Sequence, residues 1–127
     1  MNPLLLACVL FAFLATGSAS QEGVTATRFS HVTVDDGLSQ GLVTDFAQDS
    51  LGYMWIGTYG GLNRYDGYTF RVFRAGGEDD KSISHNHVTC VHAAQDGIVW
   101  IGTKTGLNRW DPERERFTLY RHDADNP

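Results

Sequence analysis

The sequence predicts an all-β fold: two four-stranded blades of a β-propeller preceded by an orphan outer strand, a fragment of a larger ring. Three observations carry this expectation. A unit of about 45 residues occurs twice, and each unit divides into four short apolar runs bounded by turn residues. No stretch after residue 20 keeps a 3.6-residue apolar period, so helices are not expected. A period in the forties, with four strands per unit and recurring Gly and aromatic positions, fits propeller blades rather than a solenoid.

The chain opens with a segment of a different kind. Leu4 to Ala15 is a twelve-residue apolar stretch, short of the roughly 20 residues needed to span a bilayer. It follows Met1-Asn2-Pro3 and precedes the small residues Thr16-Gly17-Ser18-Ala19-Ser20, the layout of a secretory signal peptide over 1–20. Cleavage is expected after Ala19 or Ser20. The leading residues carry no Lys or Arg, and a buried apolar segment or a lipoprotein signal at Cys8 are the alternatives. Removal of Cys8 would leave Cys90 as the lone thiol, so no intrachain disulfide is expected. Within Val88-Thr89-Cys90-Val91 that Cys reads as a small buried hydrophobe.

The outer strand comes next, over 28–34, because Phe29-Ser30-His31-Val32 precedes Gly37-Leu38-Ser39 as Phe70-Arg71-Val72-Phe73 precedes Ile83-Ser84. Such a strand would complete the last blade of the ring and leave no open sheet edge. Blade one covers about 38–74, with strands Val43 to Gln48, Tyr53 to Thr58, Leu62 to Tyr65 and Thr69 to Arg74. Blade two covers about 83–121, with strands Val88 to Ala94, Ile98 to Thr103, Leu107 to Trp110 and Phe117 to Arg121. Leu38 to Asp66 aligns on Ile83 to Asp111 at an offset of 45 with 13 of 29 positions identical, where average usage gives about two. The offset becomes 47 beyond the turn at Pro112, and length changes confined to turns are what a structural repeat tolerates. Residues 122–127 read as the linker to a further blade. Two blades leave broad apolar faces uncovered, so the remaining blades are expected from a longer chain or from another chain.

Composition removes some functions. With 10 Lys and Arg against 15 Asp and Glu, the net charge is −5, and no basic stripe is present to hold nucleic acid. Most repeated residues read as scaffold. Trp55 and Trp100 are expected to pack between blades, Gly57, Gly61, Gly102 and Gly106 to allow turns or close approach, and Asp66 and Asp111 to bond turn backbone. Asn63 and Asn108 recur with them. The non-repeated residues are the better ligand candidates: His85 and His87 in Ser84-His85-Asn86-His87, and Tyr59 and Lys104, which fill one variable slot after each Gly-Thr pair. In an extended chain His85 and His87 face one side, yet with His92 they give no convincing metal spacing. The acidic run Glu78-Asp79-Asp80 lacks a calcium-loop pattern and reads as solvated charge. No catalytic residue, metal or cofactor is expected in this segment.

The segments Asp36-Gly37-Leu38-Ser39, Met54 to Thr58, Gly61 to Gly67, Val99 to Thr103 and Gly106 to Asp111 closely resemble the two-component regulator propeller repeat. The resemblance implies a periplasmic sensor propeller, followed by a β-sandwich, one transmembrane helix and a cytoplasmic output module. That module is commonly a histidine kinase and in other members a diguanylate cyclase. It also implies an exported location on the periplasmic side of the inner membrane and a small-molecule or carbohydrate-like ligand. The expected protein partners are further blades of the same chain and a second copy in a homodimer. A lyase-type propeller enzyme and a passive interaction scaffold are the competing classes. A sialidase reading fails because Gln48 to Trp55 does not follow the required Ser-x-Asp-x-Gly-x-Thr-Trp spacing.

Overall fold

The computed structural model describes residues 27–77 and 79–122, so the signal segment 1–20 and residues 123–127 of the linker lie outside them. Among the described residues, eight strands form two antiparallel sheets. In blade one, β1 (Val43–Gln48), β2 (Met54–Thr58), β3 (Gly61–Tyr65) and β4 (Phe70–Phe73) lie side by side in chain order. Blade two repeats the order with β5 (Val88–Ala93), β6 (Val99–Thr103), β7 (Gly106–Asp111) and β8 (Arg116–Tyr120). Every strand end falls within one residue of the position expected from the repeat. The punctuation is backbone chemistry. Gly52 (φ 89) and Gly97 (φ 83) occupy the left-handed region in equivalent first turns, where a Cβ would be strained.

Alternation along each strand gives every blade two faces. In blade one a front face carries Phe46, Met54, Ile56, Tyr65 and Phe70, and a back face carries Trp55, Gly57, Leu62 and Phe73. The corresponding front face of blade two carries Val91, Val99, Ile101, Trp110 and Phe117. The back of blade one packs on the front of blade two, and this seam holds the core: Trp55, Leu62 and Phe73 against Val88, Val91, Val99, Ile101, Trp110 and Phe117. Trp55 and Phe73 stack at 5.8 Å, and Trp110 closes on both at 5.5 and 5.2 Å. Burying such a side chain contributes about 1.5–3 kcal/mol, so the seam dominates the stability of the pair.

Two further contacts fix the blades. The Val91 N–H donates across the seam to Asp45 Oδ2 at 2.8 Å. Val88 fits over Gly57 so closely that a Cβ there would lie 2.6 Å from Val88 Cγ1. A bulge between Val43 and Asp45, repeated between Val88 and Cys90, turns two successive side chains toward the back face.

Three expectations concern surfaces that a further blade would meet. Where the outer strand 28–34 is expected, residues 27–33 have no strand pairing and Val34–Asp36 is a short 3-10 helix, capped by Thr33 and Asp36 and ended by Gly37 at φ 112. A strand exists only against a partner, and the sheet it was expected to complete is not among the described residues. Trp100 is partly buried, because among the described residues no further blade lies against the back of blade two. Cys90 is exposed for the same reason, the bulge having turned it to that face.

Candidate functional site

The residues repeated in both units build a lock that positions the loops. In blade one, the Ser39 N–H donates to Asn63 Oδ1 at 2.8 Å, and Asn63 Nδ2 donates to Ser39 Oγ at 2.9 Å and to the Ile56 carbonyl at 3.0 Å. Ser39 and Thr58 hydroxyls share a hydrogen bond of 2.7 Å, and Thr58 Oγ1 also reaches the Gly61 carbonyl. Blade two copies this arrangement with Ser84, Asn108, Thr103 and Gly106. Asn63 and Asn108 are fully buried, so their amides are satisfied by this network rather than by water. The outcome is a linker pinned to the second turn of its own blade.

That lock carries the variable residues. Strand antiparallelism places the β2–β3 turn, the β6–β7 turn and the linker between blades at one end of the sheets. Tyr59 leaves the β2–β3 turn and its ring packs against His87 of the linker, with ring centroids 3.9 Å apart and planes tilted by 39°. The Lys104 N–H donates to the His87 carbonyl at 3.1 Å, and His85 Nδ1 accepts from the His87 N–H at 2.9 Å. Asn86 Oδ1 accepts from the Ala75 N–H at 2.7 Å, which ties the linker to the end of blade one. Tyr59 and Lys104 are exposed, and His85 and His87 are half buried. The four candidates therefore meet around one linker. His85 folds back on its own backbone, so the two imidazoles do not sit side by side as an extended chain would place them.

His92 is exposed on the back face of blade two, opposite Trp100, away from this cluster. Among the described residues no three His, Cys, Asp or Glu side chains come together in a metal-holding group. Asp79 instead caps its own turn, accepting from Ser82 Oγ at 3.1 Å. Two other carboxylates matter without having stood out in the sequence. Asp45 pins the seam, and Asp49 accepts from Trp55 Nε1–H at 2.7 Å as well as from the Tyr53 N–H. Their counterparts in blade two are Cys90 and Ala94, so the repeat gave no signal for either.

Asp66 and Asp111 organise the β3–β4 and β7–β8 turns. The Thr69 N–H, followed by that of Tyr68, holds the Asp66 carboxyl below its ordinary value. At Asp111 the Arg114 N–H leads, with the Arg114 side chain and the Glu113 N–H adding to it and burial opposing. Both are lowered from an ordinary value of 3.8, so each contributes stability that is present above that pH and lost as pH falls through the lowered value. The melting temperature should drop on acidification below about pH 4, and combining Asp66→Asn with Asp111→Asn should flatten that drop. An unchanged acid slope in the double variant would remove these turns as its cause.

Two adjoining blades of one propeller, locked by a Ser-Thr-Asn network and presenting variable linker residues, define this chain structurally. The family model described as two component regulator propeller matches residues 37–60 and 82–105 of this chain. Over 76 residues, 60% of this chain and 5% of the relative, it is 45% identical to Histidine kinase P4 of Formosa agariphila. Among solved structures it resembles the extracellular domain of a proposed hybrid two component system, BT3049, from B. thetaiotaomicron. That likeness has a TM-score of 0.71 and 28% identity over 77% of this chain and 14% of the other. A second extracellular domain from the same organism, BT4673, shares the fold at a TM-score of 0.60 and 24% identity, over 74% of this chain and 14% of the other. The chain thus spans a small part of each relative. Among the described residues no helix is long and apolar enough to cross a membrane.

Proposed function

We propose that this segment is the exported sensing part of a two-component signalling protein, and that Tyr59, His85, His87 and Lys104 contact a small polar ligand of carbohydrate type. The observation that carries the reading is the Tyr59–His87 ring contact on a linker pinned from both blades. An exposed aromatic plane offers an apolar surface to a sugar ring, while the imidazole beside it and the Lys104 side chain carried by the β6–β7 turn can supply hydrogen bonds. Because the pair spans two blades, occupancy would be felt at the seam, which is a means of passing a binding event into the ring. Further repeats are expected to follow the blades, and output is assigned to a histidine kinase phosphorelay in line with the Formosa relative. No catalytic step is assigned to the blades themselves.

The test starts with chain recovered from the periplasm, whose mass should show loss of residues 1–19 or 1–20. Calorimetric titration against neutral and acidic oligosaccharides follows. Tyr59→Ala and His87→Ala should each weaken the binding found by about tenfold, or ~1.4 kcal/mol. Retention of the chain in the cytoplasm would reject export, and binding untouched by both substitutions would move the ligand elsewhere.

A further inference from the structure

We infer that the end of the seam opposite the linker is a second binding site, built from Arg64 and Arg71, for a doubly charged oxyanion of sulfate or phosphate type. Arg64 of β3 and Arg71 of β4 stand directly opposite each other in the sheet register. Like charges in that relation cost stability unless an anion lies between them. The second repeat avoids the conflict by setting Arg109 against Thr118. It also gives Arg109 a carboxylate, with Asp111 Oδ2 at 3.6 Å. The counterpart in blade one, Asp66, has its oxygens taken by the Tyr68 N–H, the Thr69 N–H and the Thr69 hydroxyl. Blade one therefore gathers two guanidinium groups where blade two holds a single one already paired.

Aromatic rings hold both groups in place. The Arg64 guanidinium lies over Tyr53 at 4.6 Å, with Trp55 at 5.7 Å and Trp110 at 5.8 Å, and that of Arg71 lies over Phe73 at 4.9 Å. A guanidinium that rests its face on a ring keeps its N–H edge for an acceptor. Both side chains line a hollow of about 250 Å³, together with Tyr53, Asp66 and Thr69. That is several times the roughly 30 Å³ share of one water molecule, and ample for a five-atom oxyanion. The two arginines are on the back of blade one with Trp55, where blade two already sits. A further repeat packing on the back of blade two would leave the hollow open.

The carboxylate that now serves the pair fits it poorly. Glu115, from the β7–β8 turn of blade two, brings one oxygen, Oε1, to 3.2 Å from Arg71 Nη1 and 3.7 Å from Arg64 Nη1. Charge-assisted contacts close to about 2.7–2.9 Å when geometry permits. The Glu115 side chain is 55% exposed, and its backbone is left-handed at φ 50, a conformation that non-glycine residues seldom adopt. An untethered oxyanion can approach both guanidiniums at once. With Glu115 displaced, the positive charge of Arg64 and Arg71 outweighs that of Asp66, and a doubly charged ion gains twice from the remaining field. Binding thereby frees the β7–β8 turn, so occupancy of blade one is felt in blade two.

Calorimetric titration of the full chain with sodium sulfate, at an ionic strength held constant with sodium chloride, tests this together with two variants. The native chain should bind sulfate with a dissociation constant on the order of 1 mM. Arg71→Thr, the residue type that blade two carries at this position, should weaken binding at least about tenfold, with circular dichroism checking that the sheets persist. Glu115→Gln removes the competing carboxylate and should tighten binding about threefold or more; it carries the test alone if Arg71→Thr unfolds. Glucose 6-sulfate supplies the second arm. Equal or weaker binding of the ester assigns the site to the free ion, and tighter binding assigns it to a sulfate group on a larger molecule; either result supports the site. A native chain with no saturable binding of sulfate or its ester would overturn the inference and leave the three side chains as an ion-pair cluster. So would sulfate binding unchanged by Arg71→Thr, or a Glu115→Gln chain that binds no more tightly than the native one.

Discussion

Replacing Trp55 with alanine should destabilise the folded chain by about 3–5 kcal/mol, while the same change at the repeat-equivalent Trp100 should cost about 1 kcal/mol or less. The two residues share their sequence context, Met-Trp-Ile-Gly-Thr against Val-Trp-Ile-Gly-Thr, so the difference comes from what surrounds them. Trp55 is fully buried between Phe73 and Trp110, and its indole N–H is held by Asp49. Its removal opens a cavity in the middle of the seam and leaves a half-buried carboxylate short of one donor. Arg64, whose guanidinium lies 5.7 Å from the Trp55 ring, loses that surface too. Trp100 touches Tyr120 at 5.9 Å, faces solvent on its other side, and has Ala94 where Trp55 has Asp49. Denaturant unfolding of both variants measures the contrast. Equal losses would mean that the seam is not the centre of stability.

Most of the fold was legible because its determinants are local. Gly52 and Gly97 stand where a left-handed residue is required, and the apolar alternation between such turns sets each strand. Burial was less legible, since in a propeller it belongs to the neighbouring blade. Nothing in the residues themselves separates Trp55 from Trp100. Cys90 shows a second limit: in Val88-Thr89-Cys90-Val91 a simple alternation puts Val88 and Cys90 on one face, but the bulge between them sends Val88 into the seam and Cys90 out. The outer strand over 28–34 was inferred from phase, and phase cannot supply the partner a strand needs. At the candidate site, variation between the repeats points to Tyr59, His85, His87 and Lys104, and they come close together because linkers and second turns share one end of every blade. That His85 would bond the His87 N–H depends on loop geometry that no spacing reports.

Gly57→Ala should destabilise the chain by about 1–3 kcal/mol, although the new side chain is a single methyl group and Gly57 has no unusual backbone angle to protect. In isolation a strand gains from the exchange, since glycine in a strand interior carries the larger entropy loss. Here the gain is outweighed by contact. The added Cβ would lie 2.6 Å from Val88 Cγ1 and 3.0 Å from Thr44 Oγ1, and Val88 is fully buried with its strand held by the Val91–Asp45 bond. Relief requires the blades to part, which reduces contact along the whole seam. At Gly102 the obstruction is the Cys90 sulfur, an exposed side-chain end able to turn into solvent, so Gly102→Ala should cost under about 1 kcal/mol. The decisive measurement is the double variant Gly57→Ala with Val88→Ala. If the close approach of Val88 is the cause, the two changes together should cost less than the sum of the singles by at least about 0.5 kcal/mol, the coupling expected of residues in contact. Strict additivity would place the penalty in Thr44 or the β1–β2 pairing instead, and the seam would lose its claim to be set by that glycine.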